Sequence, residues 1–245
     1  MVRQDGETVD VLVFGAHPDD LELACGGTVA HTVRQGKRVG LCDLTSGEMG
    51  TRGTPETRAG EAENARRILG AAFRESLDFG DGALRTGRAE ELEIIRLIRR
   101  CRPAVVIAPY PDDRHPDHAR AGTVVTAAAF YAGLQKIDTG QPPHRPQSVV
   151  YQLLAYTFEP SFVVDVTADW GTKMEAVKAY QSQFYNPDSN ERETIISQKD
   201  FLGWIEGRAR HFGSMIGAIY GEPFVTKQPP RIADIVAAYS GREVG

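Results

Sequence analysis

Two short histidine–aspartate segments hold the chemistry this chain can offer: His17-Pro18-Asp19-Asp20 and, far downstream, His115-Pro116-Asp117-His118. Proline after each histidine drives that histidine toward extended backbone. The turn that follows returns the fourth residue to the same space, Asp20 in the first segment and His118 in the second. Two imidazoles and a carboxylate suit a catalytic zinc site, which keeps three protein ligands and an open position for water. His17, Asp20 and His118 are therefore the expected ligands. Asp19, adjacent but directed differently, is the expected general base for a water whose pKa the metal lowers. His115, held protonated by Asp117, is expected to stabilise a developing oxyanion or to protonate a leaving amine. Nothing in the set reads as a covalent nucleophile, so the chemistry is hydrolysis by activated water. Either segment alone is an ordinary turn that caps a helix. Finding both at strand exits is what points to a site.

Such segments need elements that deliver them to one place. Val9 to Phe14 and Ala104 to Ala108 are apolar, β-branched runs of the kind buried on both faces of a parallel sheet, and each leads to its motif. Leu21 to Gln35 has helical spacing and stops at Gly36. Val39 to Leu44 is the next strand, which completes a βαβ unit with a right-handed crossover. Thr45 to Gly53 is a glycine-rich loop, and Thr54 with Pro55 opens a helix that closes at Gly70. Leu77 to Phe79 reads as a short strand before Gly80-Asp81-Gly82. Helices are expected over Glu90 to Cys101, Asp117 to Gly133, Thr172 to Gln183, Phe201 to Ile216 and near Ile232 to Tyr239. Past a proline-rich loop at Lys136 to Gln147, strands are expected at Ser148 to Ala155 and Phe162 to Val166. The alternation predicts a single α/β domain over residues 1–245. Its form is a Rossmann-like, doubly wound, mostly parallel sheet with helices on both faces. Ligands in such sheets bind beyond the carboxyl ends of the strands, where both motifs fall.

Composition narrows the function classes. The formal charge is −5 with both signs interspersed, and no basic block suggests nucleic acid. Nowhere do roughly 18 apolar residues run together, as a membrane span requires. Met1 to Thr8 is polar, without the apolar core of a secretion signal. Cys25, Cys42 and Cys101 are scattered through apolar segments with no Cys-x-x-Cys pair, as in a reduced cytoplasmic protein with buried thiols. Only Cys25, near a helix start, is placed where a thiolate can be activated. Arginine supplies 22 of the 28 positive charges, which leaves guanidinium forks for anionic ligands.

Ala16-His17-Pro18-Asp19-Asp20 together with Arg114-His115-Pro116-Asp117-His118 resembles the PIG-L/LmbE-like zinc N-deacetylases. Stretches such as Asp43 to Glu48, Ala108 to Pro111, Ser182 to Pro187, Glu206 to Arg210 and Tyr220 to Phe224 resemble the bacillithiol-biosynthesis branch, the N-acetylglucosaminyl-malate deacetylases. The resemblance implies zinc on His17, Asp20 and His118, with Asp19 as base and His115 as oxyanion partner oriented by Asp117. Iron(II) suits the same ligands. In some mycothiol relatives a tyrosine lies two residues before the first histidine of the second motif; Asp113 stands there in this chain. The substrate implied is a small acidic N-acetyl sugar, N-acetylglucosaminyl-malate above all. Its carboxylates favour bidentate arginine, for which Arg58, Arg114 and Arg145 are expected partners and Arg52 a weaker one. Glu48 is expected to accept hydrogen bonds from sugar hydroxyls. Relatives often form hexamers, so a homo-oligomer is expected, with Tyr151 and Phe158 buried between subunits. Competing readings are the same hydrolysis on another acetylated sugar or a thiol-conjugate amide, a non-haem iron oxidoreductase, and a sugar-binding domain without catalysis. An intact Asp19 speaks against the last.

Overall fold

Apolar strands alternating with helices assemble into one sheet in the computed structural model, which describes residues 8–156 and 158–239. The polar N-terminal stretch, Thr8 excepted, lies outside the described residues. In chain order the strands are β1 (Val11–Gly15), β2 (Val39–Asp43), β3 (Phe73–Ser76), β4 (Val105–Pro109), β5 (Ser148–Gln152), β6 (Phe162–Asp165) and β7 (Gly221–Thr226). The helices are α1 (Asp20–Arg34), α2 (Pro55–Leu69), α3 (Arg88–Cys101), α4 (Pro116–Tyr131), α5 (Trp170–Lys178), α6 (Phe201–Ile216) and α7 (Ile235–Tyr239). The sheet order is β3-β2-β1-β4-β5-β7-β6, and only β7 runs antiparallel to its neighbours. The expected mostly parallel, doubly wound α/β sheet is what the chain forms.

That order explains how two distant motifs meet. The chain builds outward from β1 to β3, crosses back, and builds the other way from β4, so the topological switch lies between β1 and β4. Val11, Leu12 and Val13 pair with Val105, Val106 and Ile107. Both strands therefore leave the sheet side by side and empty their motifs into one crevice.

Successive residues of β1 feed opposite cores, as strand geometry requires. Leu12 and Phe14 pack with Ile94, Ile98 and Val125 on one face, and Val13 packs with Leu21, Leu41 and Tyr180 on the other. Local signals set the helix ends. Thr54 accepts the Thr57 amide at 3.2 Å ahead of Pro55, and Gly70 closes α2 at φ +72°. Gly122 lets α4 lie directly on the β4 exit: a Cβ there would come 2.3 Å from the Pro109 carbonyl oxygen. Any side chain at that position would push α4, and His118 with it, away from the crevice.

Some elements depart from the sequence pattern. The third strand is Phe73–Ser76, not Leu77 to Phe79. Arg74 and Glu75 disguise it as surface, yet the Arg74 side chain is only 4% exposed, with its guanidinium on Asp43 (2.6 and 2.8 Å) and on Glu22. Strand β7 carries Glu222 and Pro223, which hide its β character. Glu222 is 1% exposed and accepts the amides of Gly27 and Thr28, where α1 breaks helical geometry at Cys25, and it pairs with Lys173. Helix α5 stops at Lys178 instead of Gln183. Tyr151, expected between subunits, is 1% exposed within this one chain, its hydroxyl 3.0 Å from that of Thr126. Its burial needs no partner. Among the described residues no helix is long and apolar enough to cross a membrane.

Replacing Arg74 with methionine strands the buried carboxylates of Glu22 and Asp43. Breaking a buried ion cluster costs about 3–5 kcal/mol, and a melting point ~10 °C lower is expected in a chain of this size. A thermal-melt change below ~2 °C would show that the cluster contributes little.

Candidate active site

His17 follows β1 by two residues, and Asp20 is the first residue of α1. Asp20 Oδ2 accepts the amides of Ala16 (3.1 Å) and His17 (2.9 Å), which pins the carboxylate at the strand exit. The same oxygen lies 3.4 Å from His17 Nδ1, while Oδ1 lies 3.3 Å from His118 Nε2. Each imidazole is anchored through its other nitrogen: His17 Nε2 is 3.0 Å from Asp81 Oδ1, and His118 Nδ1 is 2.9 Å from Asp113 Oδ1. A carboxylate on the far nitrogen is the usual device for fixing tautomer and ring plane in a metal-binding histidine. The donor chemistry, two nitrogens and a carboxylate with supported rings, fits a divalent cation such as zinc or iron(II). Among the described residues, the sets whose donor atoms all lie within 4.8 Å of one another are His17 with His115 and His118, and His17 with Asp81 and Asp117; Asp20 meets His17 and His118 pairwise.

Charge in this crevice favours a cation. Burial alone would lower the two imidazoles. Asp20 and Asp81 nevertheless lift His17 to about 11, and Asp20 and Asp113 lift His118 to about 9. Asp20 stays well below the usual carboxylate range, against its burial, because His118 and His17 face it. With both imidazoles protonated at pH 7, a metal bound through them would have to displace those protons, and its affinity would fall as pH falls. Close to two protons released per metal near pH 7 is the expected result of calorimetry in buffers of different ionisation enthalpy. Release of none would contradict ligation by His17 and His118.

Asp19 is raised to about 7. Burial drives the shift, Arg58 opposes it, and the nearby charge of Asp20 adds to it. Its backbone sits at φ +105°, a left-handed conformation unusual for a non-glycine residue. Its side chain meets Arg58, whose Nη2 lies 3.2 Å from Asp19 Oδ2.

The second motif corrects one expectation. The Asp117 carboxylate does not hold His115 protonated; it accepts the Gly82 amide at 2.6 Å and pairs with Arg120 at 3.1 Å. Instead the Asp117 backbone amide donates to His115 Nδ1 at 3.2 Å. An accepting Nδ1 places the ring proton on Nε2, giving a neutral imidazole. Burial and the adjacent His118 and His17 rings lower His115 accordingly. A neutral Nε2–H can still donate to an oxyanion.

The expected substrate arginines separate. Arg114 is exposed on the cleft wall and makes no ion pair or hydrogen bond to another described residue. Arg58 is buried and committed to Asp19 and to the carbonyls of Pro18 and Gly47. Arg52 is buried on the Ser182 carbonyl, 2.9 Å away. Arg145 is not brought to the cleft: it lies over the Phe130 ring, 4.3 Å from its centroid, in a separate groove. Glu48 holds the glycine-rich loop in place by accepting the Asp81 amide and the Ser46 hydroxyl. Cys25 is no thiolate; burial pushes its pKa up, and the thiol donates to Gln152. Sequence reasoning missed Asp81 and passed over Asp113 as a support. The Gly80-Asp81-Gly82 turn after a strand was the available signal for the former.

Similarity to other proteins agrees with this geometry. The PIG-L family profile, described as GlcNAc-PI de-N-acetylase, matches residues 12–129, which hold both motifs. The diacetylchitobiose deacetylase of Thermococcus kodakarensis is 34% identical over 189 residues, covering 71% of this chain and 70% of that protein. This chain belongs to the PIG-L family. Another PIG-L relative, the probable N-acetyl-alpha-D-glucosaminyl L-malate deacetylase 2 of Bacillus cereus, is 28% identical over 71% of this chain and 83% of its own. Among solved structures, the conserved protein TT1542 of Thermus thermophilus superposes with a TM-score of 0.85 at 38% identity, over 93% of this chain and 99% of that one. As a PIG-L deacetylase the chain is an enzyme that hydrolyses N-acetyl amides.

Proposed function

We propose that this protein is a zinc-dependent N-deacetylase that frees the amine of an N-acetylglucosaminide and releases acetate. The observation that carries this reading is the approach of Asp20 to both His17 and His118, beside the Asp19 carboxyl that Arg58 holds at 3.2 Å. His17, Asp20 and His118 would hold the metal, which when bound acidifies a water and polarises the amide carbonyl. Asp19 accepts the proton of the attacking water; a pKa near the working pH is the best compromise for that task. As the water oxygen joins the acetyl carbon, the Nε2–H of His115 donates to the amide oxygen, which becomes anionic. Asp19 then returns its proton to the amide nitrogen as the carbon–nitrogen bond breaks, so that the products are a neutral amine and acetic acid, which gives its proton to solvent and leaves as acetate. Arg58 keeps Asp19 aimed through both changes of charge. Iron(II) is the alternative metal.

N-acetylglucosaminyl-malate, as used in bacillithiol biosynthesis, is the specific substrate we infer from the sequence pattern, and a malate carboxylate would meet Arg114. The other expected arginines are engaged or remote, so this finer reading rests on one guanidinium. A reduced, cytoplasmic homo-oligomer completes the reading, supported by three buried free cysteines and by family resemblance. Acetate release from N-acetylglucosaminyl-malate, plain N-acetylglucosamine and a thiol-conjugate amide, with metal analysis of the same sample, tests the proposal. Turnover of the malate glycoside well above the other two is expected. No acetate from any of them, with oxygen consumed instead, would favour the iron oxidoreductase. Arg114→Ala should raise KM about tenfold or more for the malate glycoside alone, as loss of a charge-assisted hydrogen bond implies. An equal rise for N-acetylglucosamine would remove the carboxylate contact.

A further inference from the structure

The cleft that contains the proposed catalytic groups is larger than an acetamido group needs. It encloses about 660 Å³, within the ~300–1,000 Å³ of sites that surround drug-sized ligands. Its charged lining residues are Asp19, Asp20, Arg58, Asp81 and Arg114, at or beside the two motifs. Thr51, Gln183, Thr194 and the three histidines add neutral or ring polar groups, but one stretch of the lining is of a different kind. Leu154, Ile195, Ile196, Phe201 and Ile205 come together from the end of β5, the segment before α6, and the first turns of α6. Four of these, Leu154, Ile196, Phe201 and Ile205, also pack onto the core behind them, so the wall is part of the fold and not a loose flap. Ile195 is nevertheless 50% exposed, and Met49, which lines the same cleft, is 73% exposed.

Resting on the N-deacetylase reading, we propose that this wall gives the enzyme a second substrate class beside the malate glycoside: N-acetylglucosaminides whose aglycone is an alkyl-type group, for which the wall is the subsite. The sugar's acetamido group belongs at the polar end, because that is where Asp19 and His115 are. An alkyl-type aglycone beyond it lies against the aliphatic and aromatic side chains, not against Arg114. A carboxylate placed there would lose its water without gaining a donor, which is costly. An apolar chain covers exposed side chains that are already held in position, so little ordering is needed to bind it. The wall shares one cleft with the catalytic residues, which makes the substrate itself the occupant.

The test compares methyl and n-octyl glycosides of N-acetylglucosamine, below the micellar concentration, on the zinc-loaded protein. Acetate release gives kcat/KM, and calorimetry on the Asp19→Asn variant gives affinity without turnover. The octyl glycoside is expected to show at least tenfold higher kcat/KM and tighter binding. The octyl-to-methyl ratio should collapse toward one in Ile195→Asp, whose half-exposed position leaves the new carboxylate in reach of water, and fall partway in Ile205→Ala. Equal values for the two glycosides, or an octyl advantage that survives Ile195→Asp, overturns the subsite. Preferential octyl binding without acetate from either glycoside would uphold the subsite and overturn the deacetylase reading instead.

Discussion

Asparagine in place of Asp19 is expected to cut kcat by ~10³-fold, within the range general-base catalysis supplies, with the metal retained. The amide keeps the size of the carboxylate and tolerates the φ of +105° better than most residues. Arg58 keeps its bonds to the Pro18 and Gly47 carbonyls. What disappears is the group that takes a proton near neutral pH. A second, opposite effect follows from the same shift. The folded chain raises Asp19 to about 7, so between the ordinary carboxylate range and that value the folded state binds the extra proton. Folding stability from this group is present at low pH and lost as pH rises through 7. In metal-free protein, Asp19→Asn should therefore melt higher than wild type at pH 8, with the difference shrinking toward pH 5. Catalysis and stability pull this position in opposite directions, as at many functional sites. Loss of metal along with activity, or a kcat change under tenfold, would refute the base role.

Removing His118 tests the other half of the site. His118→Ala leaves Asp113 and Asp20 intact and takes away one of two nitrogens that face the Asp20 carboxylate. Metal affinity should fall by more than ~100-fold, beyond the ~10–100-fold typical of losing an outer support. Asp81→Asn supplies the comparison: it should fall inside that smaller range, because it loosens the His17 ring and removes no ligand. Equilibrium dialysis with zinc measures both. Full retention of metal by His118→Ala would take that residue out of the ligand set. Equal losses in the two variants would mean that Asp81 itself coordinates, as its grouping with His17 and Asp117 allows.

The largest gap between pattern and structure concerns which charged residues are free. Arg58, Arg114 and Arg145 are indistinguishable as isolated arginines near motifs. Folding buries Arg58 on Asp19, leaves Arg114 open to the cleft, and sends Arg145 to another groove over Phe130. Strand β3 was misplaced for a related reason. Arg74 looks solvated until β2 and α1 bring Asp43 and Glu22 to it. Charge on a strand reads as exposure only where no partner is supplied from far away in the chain.

The sequence by itself determined the parallel α/β scaffold, the helix starts at Thr54 and within each motif, and the two histidine–aspartate segments with Asp19 among them. Those signals are local: periodicity, capping residues and proline constraints act within a few positions. Only the tertiary structure decided that Asp113 and Asp81 brace the imidazoles, that the Asp117 amide and not its carboxylate meets His115, and that one wall of the cleft is apolar. Each of these joins strand ends or loops that the β1–β4 switch brings together, and no spacing rule encodes a contact made by topology.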